Sequence, residues 1–188
     1  VHQKGNRSAI AARWVVCALL VALSAGGCSS VIPVPDQSQF APLETLADSD
    51  EPIARVYVAP VKVIGFMATH TWFVIKKADE HTFDRWEISL HKEEPYGYLR
   101  LNYREPEAYI GGGVVSILAE LTGAEAAPVV EFIDGQSPNY PWRFEYFAYP
   151  GPNCNTYPQW VLNQTGWDVK LPFTSLGWGY ASFAPDID

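Results

Sequence analysis

Three side chains suited to acyl-transfer chemistry lie far apart in the chain: Cys154, His70 and Glu87. A thiol must lose its proton to attack a carbonyl, and an imidazole within hydrogen-bond reach can take that proton and return it to the leaving group. A carboxylate behind the ring would hold it in one orientation. Cys154 sits between two asparagines in Pro150-Gly-Pro-Asn-Cys-Asn-Thr-Tyr-Pro158, a run of turn formers that leads into a helix reaching about Asn163. With Asn155 as the cap, Pro158 takes the third helical position, where its missing N–H costs nothing. The thiol then stands beside a helix N-terminus, where free N–H groups and the helix dipole favour a thiolate. The amides around Cys154 and Asn155 are the candidate oxyanion donors, and Asn153 and Asn155 the candidate loop supports.

His70 is the best-placed base, because it opens a strand-like run, His70-Thr-Trp-Phe-Val-Ile-Lys76. His81 and His91 fall in charged links, where solvation explains them. Glu87 lies on the next strand, Phe83 to Leu90. A hairpin closed around residues 79 to 81 sets His70 opposite a position beyond Glu87, so contact calls for a slip or a bulge. Two readings stay open. A lone cysteine is among the residues most often buried, and a strand histidine is often only hydrogen-bonded structure. The rival to an enzyme is a binding or scaffold protein with an aromatic cleft drawn from Trp142, Tyr146, Tyr149, Trp160, Trp167 and Trp178. One soft ligand and dispersed histidines do not give zinc spacing, so no metal is expected. Gly111-Gly-Gly113 lacks the Lys-Ser/Thr of a phosphate loop, and no cofactor is expected.

The N-terminus assigns a compartment. Lys4, Arg7 and Arg13 precede an apolar run, Trp14 to Leu23, which ends in Ser24-Ala-Gly-Gly-Cys28. A basic start, a short apolar core and small residues make a secretory signal, and the run is too short to span a bilayer. The ending resembles a bacterial lipobox. Residues 1–27 are therefore expected to be a lipoprotein signal peptide, with Cys28 lipidated and residues 28–52 an extended or poorly ordered tether. An ordinary signal peptide cut nearby is the alternative. The expected location is the cell envelope, at the periplasmic face of the outer membrane in a Gram-negative organism, since Ser29 follows the cysteine. Of three cysteines, Cys17 leaves with the signal and Cys28 goes to lipid, so Cys154 has no internal disulfide partner. The whole chain carries −8 and the leader +3, leaving −11 on the remainder. That balance excludes nucleic acid as a partner.

Residues 53–188 read as one α+β domain: a small, mainly antiparallel sheet with two or three helices packed on it. Ala54 to Ala59, His70 to Lys76, Phe83 to Leu90 and Gly97 to Asn102 are the expected strands, with a turn or bulge over Gly65 to Thr69. Val114 to Leu121 has apolar residues at helical spacing, and Ala124 to Ile133 forms a second helix around Pro128. Arg143 to Tyr149 is strand-like.

His70 to Lys76, Trp86-Glu87, Gly151 to Tyr157 and Leu171 to Gly177 together resemble the bacterial family DUF3750, over about Val56 to Tyr180. That resemblance brings no activity with it. It implies that Cys154 stands where relatives commonly carry serine, which suits either a nucleophile or a small hydrogen-bonding group. More remotely, the order of His70, Glu87 and Cys154 is similar to circularly permuted papain-like folds of the NlpC/P60 and lecithin–retinol acyltransferase type. This second likeness implies a thiol hydrolase or acyltransferase acting on amides or esters. For a tethered domain, peptidoglycan peptides or lipids are the expected substrates.

Overall fold

The computed structural model describes residues 39–61, 68–109, 111 and 113–185. The elements in chain order are α1 (Leu43–Ala47), β1 (Ile53–Pro60), β2 (Thr69–Lys76), β3 (Asp84–Glu93), β4 (Gly97–Leu101), β5 (Ser116–Thr122), α2 (Gly123–Gln136) and α3 (Thr156–Thr165). Short 3-10 turns lie at Ser137–Asn139 and Trp178–Phe183. The five strands form one antiparallel sheet ordered β4-β3-β2-β1-β5. The fold is therefore α+β, with helices packed on an antiparallel sheet. Among the described residues, no helix is long and apolar enough to cross a membrane. Cys28 and the proposed turn at Gly65 lie outside the described residues.

Alternation along the strands produces two different faces. Ala54, Val56, Phe73, Ile75, Trp86, Ile88 and Leu99 point to one side, where Val130, Ile133, Tyr157 and Trp160 of the two longer helices cover them. Tyr57, Trp72, Val74 and Ile117 form a smaller apolar cluster on the other side. That second face also buries Arg55, Lys76, Arg85 and Glu87. Irregular chain covers it: Arg85 donates to the carbonyls of Glu105 (3.0 Å) and Ala108 (2.5 Å), and Trp72 Nε1 to Pro106 O (3.0 Å).

Three local expectations need correction. Val114 to Leu121 is not a helix; its residues from Ser116 form β5, paired with β1. The β1–β5 register shifts between Val56 and Tyr57, so Val56 faces Ala119 while Tyr57 faces Ile117. The extra residue, Leu118, breaks the period-two pattern and leaves Ile117, Leu118 and Leu121 at intervals that imitate a helix. Arg143 to Tyr149 is not a strand. Its backbone bonds close turns, Arg143 N–H to Tyr140 O and Glu145 N–H to Trp142 O, and Phe147 N–H reaches Pro152 O. Finally, the expected extended chain before residue 52 holds α1, and part of it is docked: Arg55 donates to Ala41 O (2.5 Å) and Lys76 to Ser49 O (2.6 Å).

Candidate functional site

The β2–β3 ladder runs from Ile75↔Asp84 to Phe73↔Trp86 and stops, although both strands continue. Between their unpaired ends opens a cleft of about 360 Å³, lined among others by His70, Glu87, Arg104, Tyr109, Tyr146 and Cys154. His70 and Glu87 share a face and meet diagonally, His70 Nε2 to Glu87 Oε2 at 2.8 Å. The contact needs neither the slip nor the bulge expected from the hairpin count, because a carboxylate reaches a diagonal neighbour. The His70 ring lies against Trp72 (5.4 Å between centroids) and Tyr109 (5.9 Å), both stacked. Trp72 is itself fixed by Pro106 and by the Arg85 guanidinium 4.4 Å above its ring.

Glu87 is wholly buried, so its charge must be met locally. Its Oε2 also accepts from Arg85 Nη2 (3.0 Å), and its Oε1 lies 3.7 Å from Arg104 Nη1. Burial alone would raise its pKa; the hydrogen bonds and charges of His70 and Arg85 reverse that and hold it below the ordinary range. Burial likewise opposes the His70 imidazolium. The charge and hydrogen bond of Cys154, then those of Glu87, outweigh it and push the pKa up to about 9.

Cys154 arrives from the opposite side of the sheet, on the loop that starts α3. Asn153 Nδ2 donates to Ala148 O (2.9 Å) and Leu176 O (3.0 Å), while its Oδ1 accepts from Asn155 N–H (2.9 Å). Asn155 Nδ2 donates to Thr69 O (2.9 Å) and Leu176 O (3.0 Å). Thr69 directly precedes His70, so Asn155 ties the cysteine loop to the residue beside the base. Gly177, at φ +89°, passes so close that a Cβ there would sit 2.0 Å from Asn153 Nδ2. The half-buried Cys154 lines the same cleft as His70 and Tyr146, and its proximity raises the pKa of both. With His70 Nε2 committed to Glu87, Nδ1 is the ring nitrogen left for the sulfur.

The Asn155 amide was a candidate oxyanion donor, but Asn153 Oδ1 occupies it. Asn155 is the N-cap residue of α3, as its sequence position implies, yet its side chain makes no cap hydrogen bond and bridges to β2 instead. No described group accepts from the Cys154 N–H. Tyr146 is a second donor facing the thiol; burial and then the neighbouring Cys154 raise its pKa, so it keeps its proton.

His91 lies exposed at the cleft margin, and the exposed His81 bonds Ala47 O at 2.9 Å. The six rings expected to share an aromatic cleft are dispersed. Trp160 is core, Trp142, Tyr146 and Trp167 pack around that core, and Tyr149 and Trp178 line a separate groove with Tyr180 and Phe183. Among the described residues, no group of three or more His, Cys, Asp or Glu side chains could hold a metal ion.

Three neighbours of the site escape a reading by residue type and spacing: Arg85, Arg104 and Tyr109. Arg85 alternates with Trp86 on a strand and so reads as a solvated position, but it is fully buried under residues 105–108. The other two sit on irregular chain, where no periodicity assigns a side chain's direction.

The site thus defines an α+β protein with a cysteine, a histidine and a glutamate converging on one cleft. The chain matches the family described as a protein of unknown function, DUF3750, over residues 51–180, and it belongs to that family. No curated protein and no solved structure matches it.

Proposed function

We propose that this protein is a cell-envelope thiol hydrolase or acyltransferase acting on an amide or ester bond. The observation that carries this reading is the convergence of Cys154, His70 and Glu87 on the wall of one open cleft, with His70 hydrogen-bonded to Glu87. Cys154 Sγ attacks the substrate carbonyl as His70 takes the thiol proton. The oxyanion that forms is met by the Cys154 N–H and the Tyr146 hydroxyl. His70 then gives its proton to the departing amine or alkoxide, leaving a thioester on Cys154. Water or an acceptor hydroxyl attacks that thioester, His70 takes its proton, and the thiol is released with the acid or the new ester. Glu87 holds the ring and balances the imidazolium.

The order of His70, Glu87 and Cys154 along the chain supports a kinship with permuted papain-like enzymes. The lipobox-like Cys28 supports a lipid-anchored location at the periplasmic face of the outer membrane. Peptidoglycan peptides or envelope lipids would then be within reach. The second reading, a non-catalytic envelope binding or scaffold lipoprotein, draws on the exposed aromatic groove at Tyr149, Trp178 and Phe183.

The test is alkylation of the full chain by iodoacetamide, followed on the Cys154 peptide by mass spectrometry. At pH 6.5 the wild type should react about tenfold faster than His70→Ala. Labelling that waits for unfolding in urea would sink the enzyme reading and turn attention to binding.

A further inference from the structure

Two arginines approach Glu87, and they differ in one respect. The terminal nitrogens of Arg85 are satisfied: they donate to Glu87 and to the carbonyls of Glu105, Pro106 and Ala108, and only its buried Nε has no partner. Those of Arg104 are not. Its side chain is 25% exposed and borders the cleft, yet no described group accepts a hydrogen bond from it. Its Nε, like that of Arg85, is buried without a partner, and Glu87 Oε1, at 3.7 Å, lies beyond hydrogen-bond distance of its Nη1. The Tyr103 ring, 4.9 Å from the guanidinium carbon, supports one face and leaves the N–H edge unused. A guanidinium largely withdrawn from water with idle donors is costly unless something completes it.

Charge points the same way. Glu87 carries one negative charge against two guanidinium groups. Among the described residues no other carboxylate lines the cleft, so apart from Cys154 and His70 its wall holds one spare positive charge in a chain of net charge −8.

We infer that Arg104 is a specificity-determining residue, binding a carboxylate that the substrate carries close to the bond being cleaved or transferred. The inference rests on the thiol acyl-transfer reading above and narrows its substrate to a short, carboxylate-bearing peptide or related amide. A planar fork of donors matches a carboxylate edge to edge, and a single spare charge matches a monoanion. A cleft of about 360 Å³ suits a fragment of a few residues rather than a headgroup with its acyl chains.

Two small alkylating agents test this without knowledge of the substrate. Iodoacetate and iodoacetamide react alike: Sγ forms a bond to carbon, the carbon–iodine bond breaks, and iodide leaves. Both draw on the same thiolate, so the ratio of their rates on the Cys154 peptide cancels any change in thiolate population. It reports recognition of the carboxylate. In the full chain, Arg104→Gln should lower the iodoacetate-to-iodoacetamide ratio by about five- to tenfold. The wild-type ratio should fall as sodium chloride is added. Arg104→Lys keeps a charge beside Glu87 but loses the fork; its ratio should fall at least about twofold, and it carries the test if the neutral variant does not fold. Acetate should protect Cys154 from iodoacetamide better than dimethyl phosphate does. An unchanged ratio in both variants, or stronger protection by dimethyl phosphate, overturns the inference while leaving a fast iodoacetamide reaction and the thiol reading intact. Slow labelling of the wild-type chain by both reagents removes the thiol reading and this inference with it.

Discussion

The two faces of the sheet are made by alternate residues of the same strands, yet they have opposite characters. Toward the helices, Phe73, Ile75, Trp86 and Ile88 meet apolar and aromatic side chains. Toward the irregular covering, His70, Trp72, Arg85 and Glu87 meet one another and the carbonyls of residues 105–108. Apolar packing is non-directional and tolerant; a buried charge network is held by particular partners and suffers when one is removed. The first face supplies most of the stability and the second fixes an imidazole. Separation by a single residue step lets both requirements be met within one eight-residue strand.

The comparison is tested most severely on the apolar side. Phe73→Ala removes a fully buried ring that packs on Tyr157 and Trp167. It should cost about 3–5 kcal/mol of unfolding free energy in urea titrations. Iodoacetamide labelling of Cys154 in the remaining folded protein should be unchanged. A rate that collapsed with stability would show that the faces are not independent.

The polar side has its own signature, a dependence on pH. The folded-state pKa of His70 is raised to about 9 from the ordinary 6.5, through Cys154 and Glu87 acting against burial. A raised histidine pKa means that the folded protein holds the proton more tightly than the unfolded chain. The stabilisation is fully present below pH 6.5 and is lost as pH rises through about 9. Glu87, whose pKa is lowered, contributes above the ordinary carboxylate range and loses that contribution as pH falls. Stability should therefore be greatest between about pH 5 and 6.5 and decline by roughly 2–3 kcal/mol above pH 9. His70→Gln should flatten the alkaline limb. An alkaline limb that His70→Gln leaves unaltered would remove the imidazolium from the energetics of the site.

What the sequence discloses follows the same division. Period-two alternation identifies β2 and β3 and puts His70 and Glu87 on strands, because the two buried faces take different kinds of side chain. It fails at β5, where the shift at Val56 and Tyr57 scrambles the period. Chemistry of residue type singles out Cys154, His70 and Glu87. It does not find Arg104 or Tyr109, whose positions depend on how irregular chain crosses the sheet. It also misjudges Asn155. Cap position is legible in the residues, but the side chain's bond to Thr69 O spans 86 residues and has no local trace.

That bond makes Asn155 the informative place for the smallest of these effects. Helix α3 belongs to the apolar side through Tyr157, Trp160 and Val161, while the cysteine before it belongs to the cleft. Asn155 joins the two, donating to Thr69 O beside His70 and to Leu176 O, the latter shared with Asn153. Asn155→Ala should cost only about 1–2 kcal/mol, since Leu176 O keeps its bond from Asn153. Its effect on iodoacetamide labelling should be larger in proportion, about tenfold at pH 6.5, because a drift of about an ångström separates sulfur from imidazole. Thr165→Ala, at the far end of the same helix, removes a hydrogen bond to Val161 O and should leave the rate alone. Equal rates in the two variants would mean that the cysteine loop is positioned from the helix side without help from β2. The seam between the faces would then lie elsewhere, with the Asn153–Gly177 contact as the next place to cut.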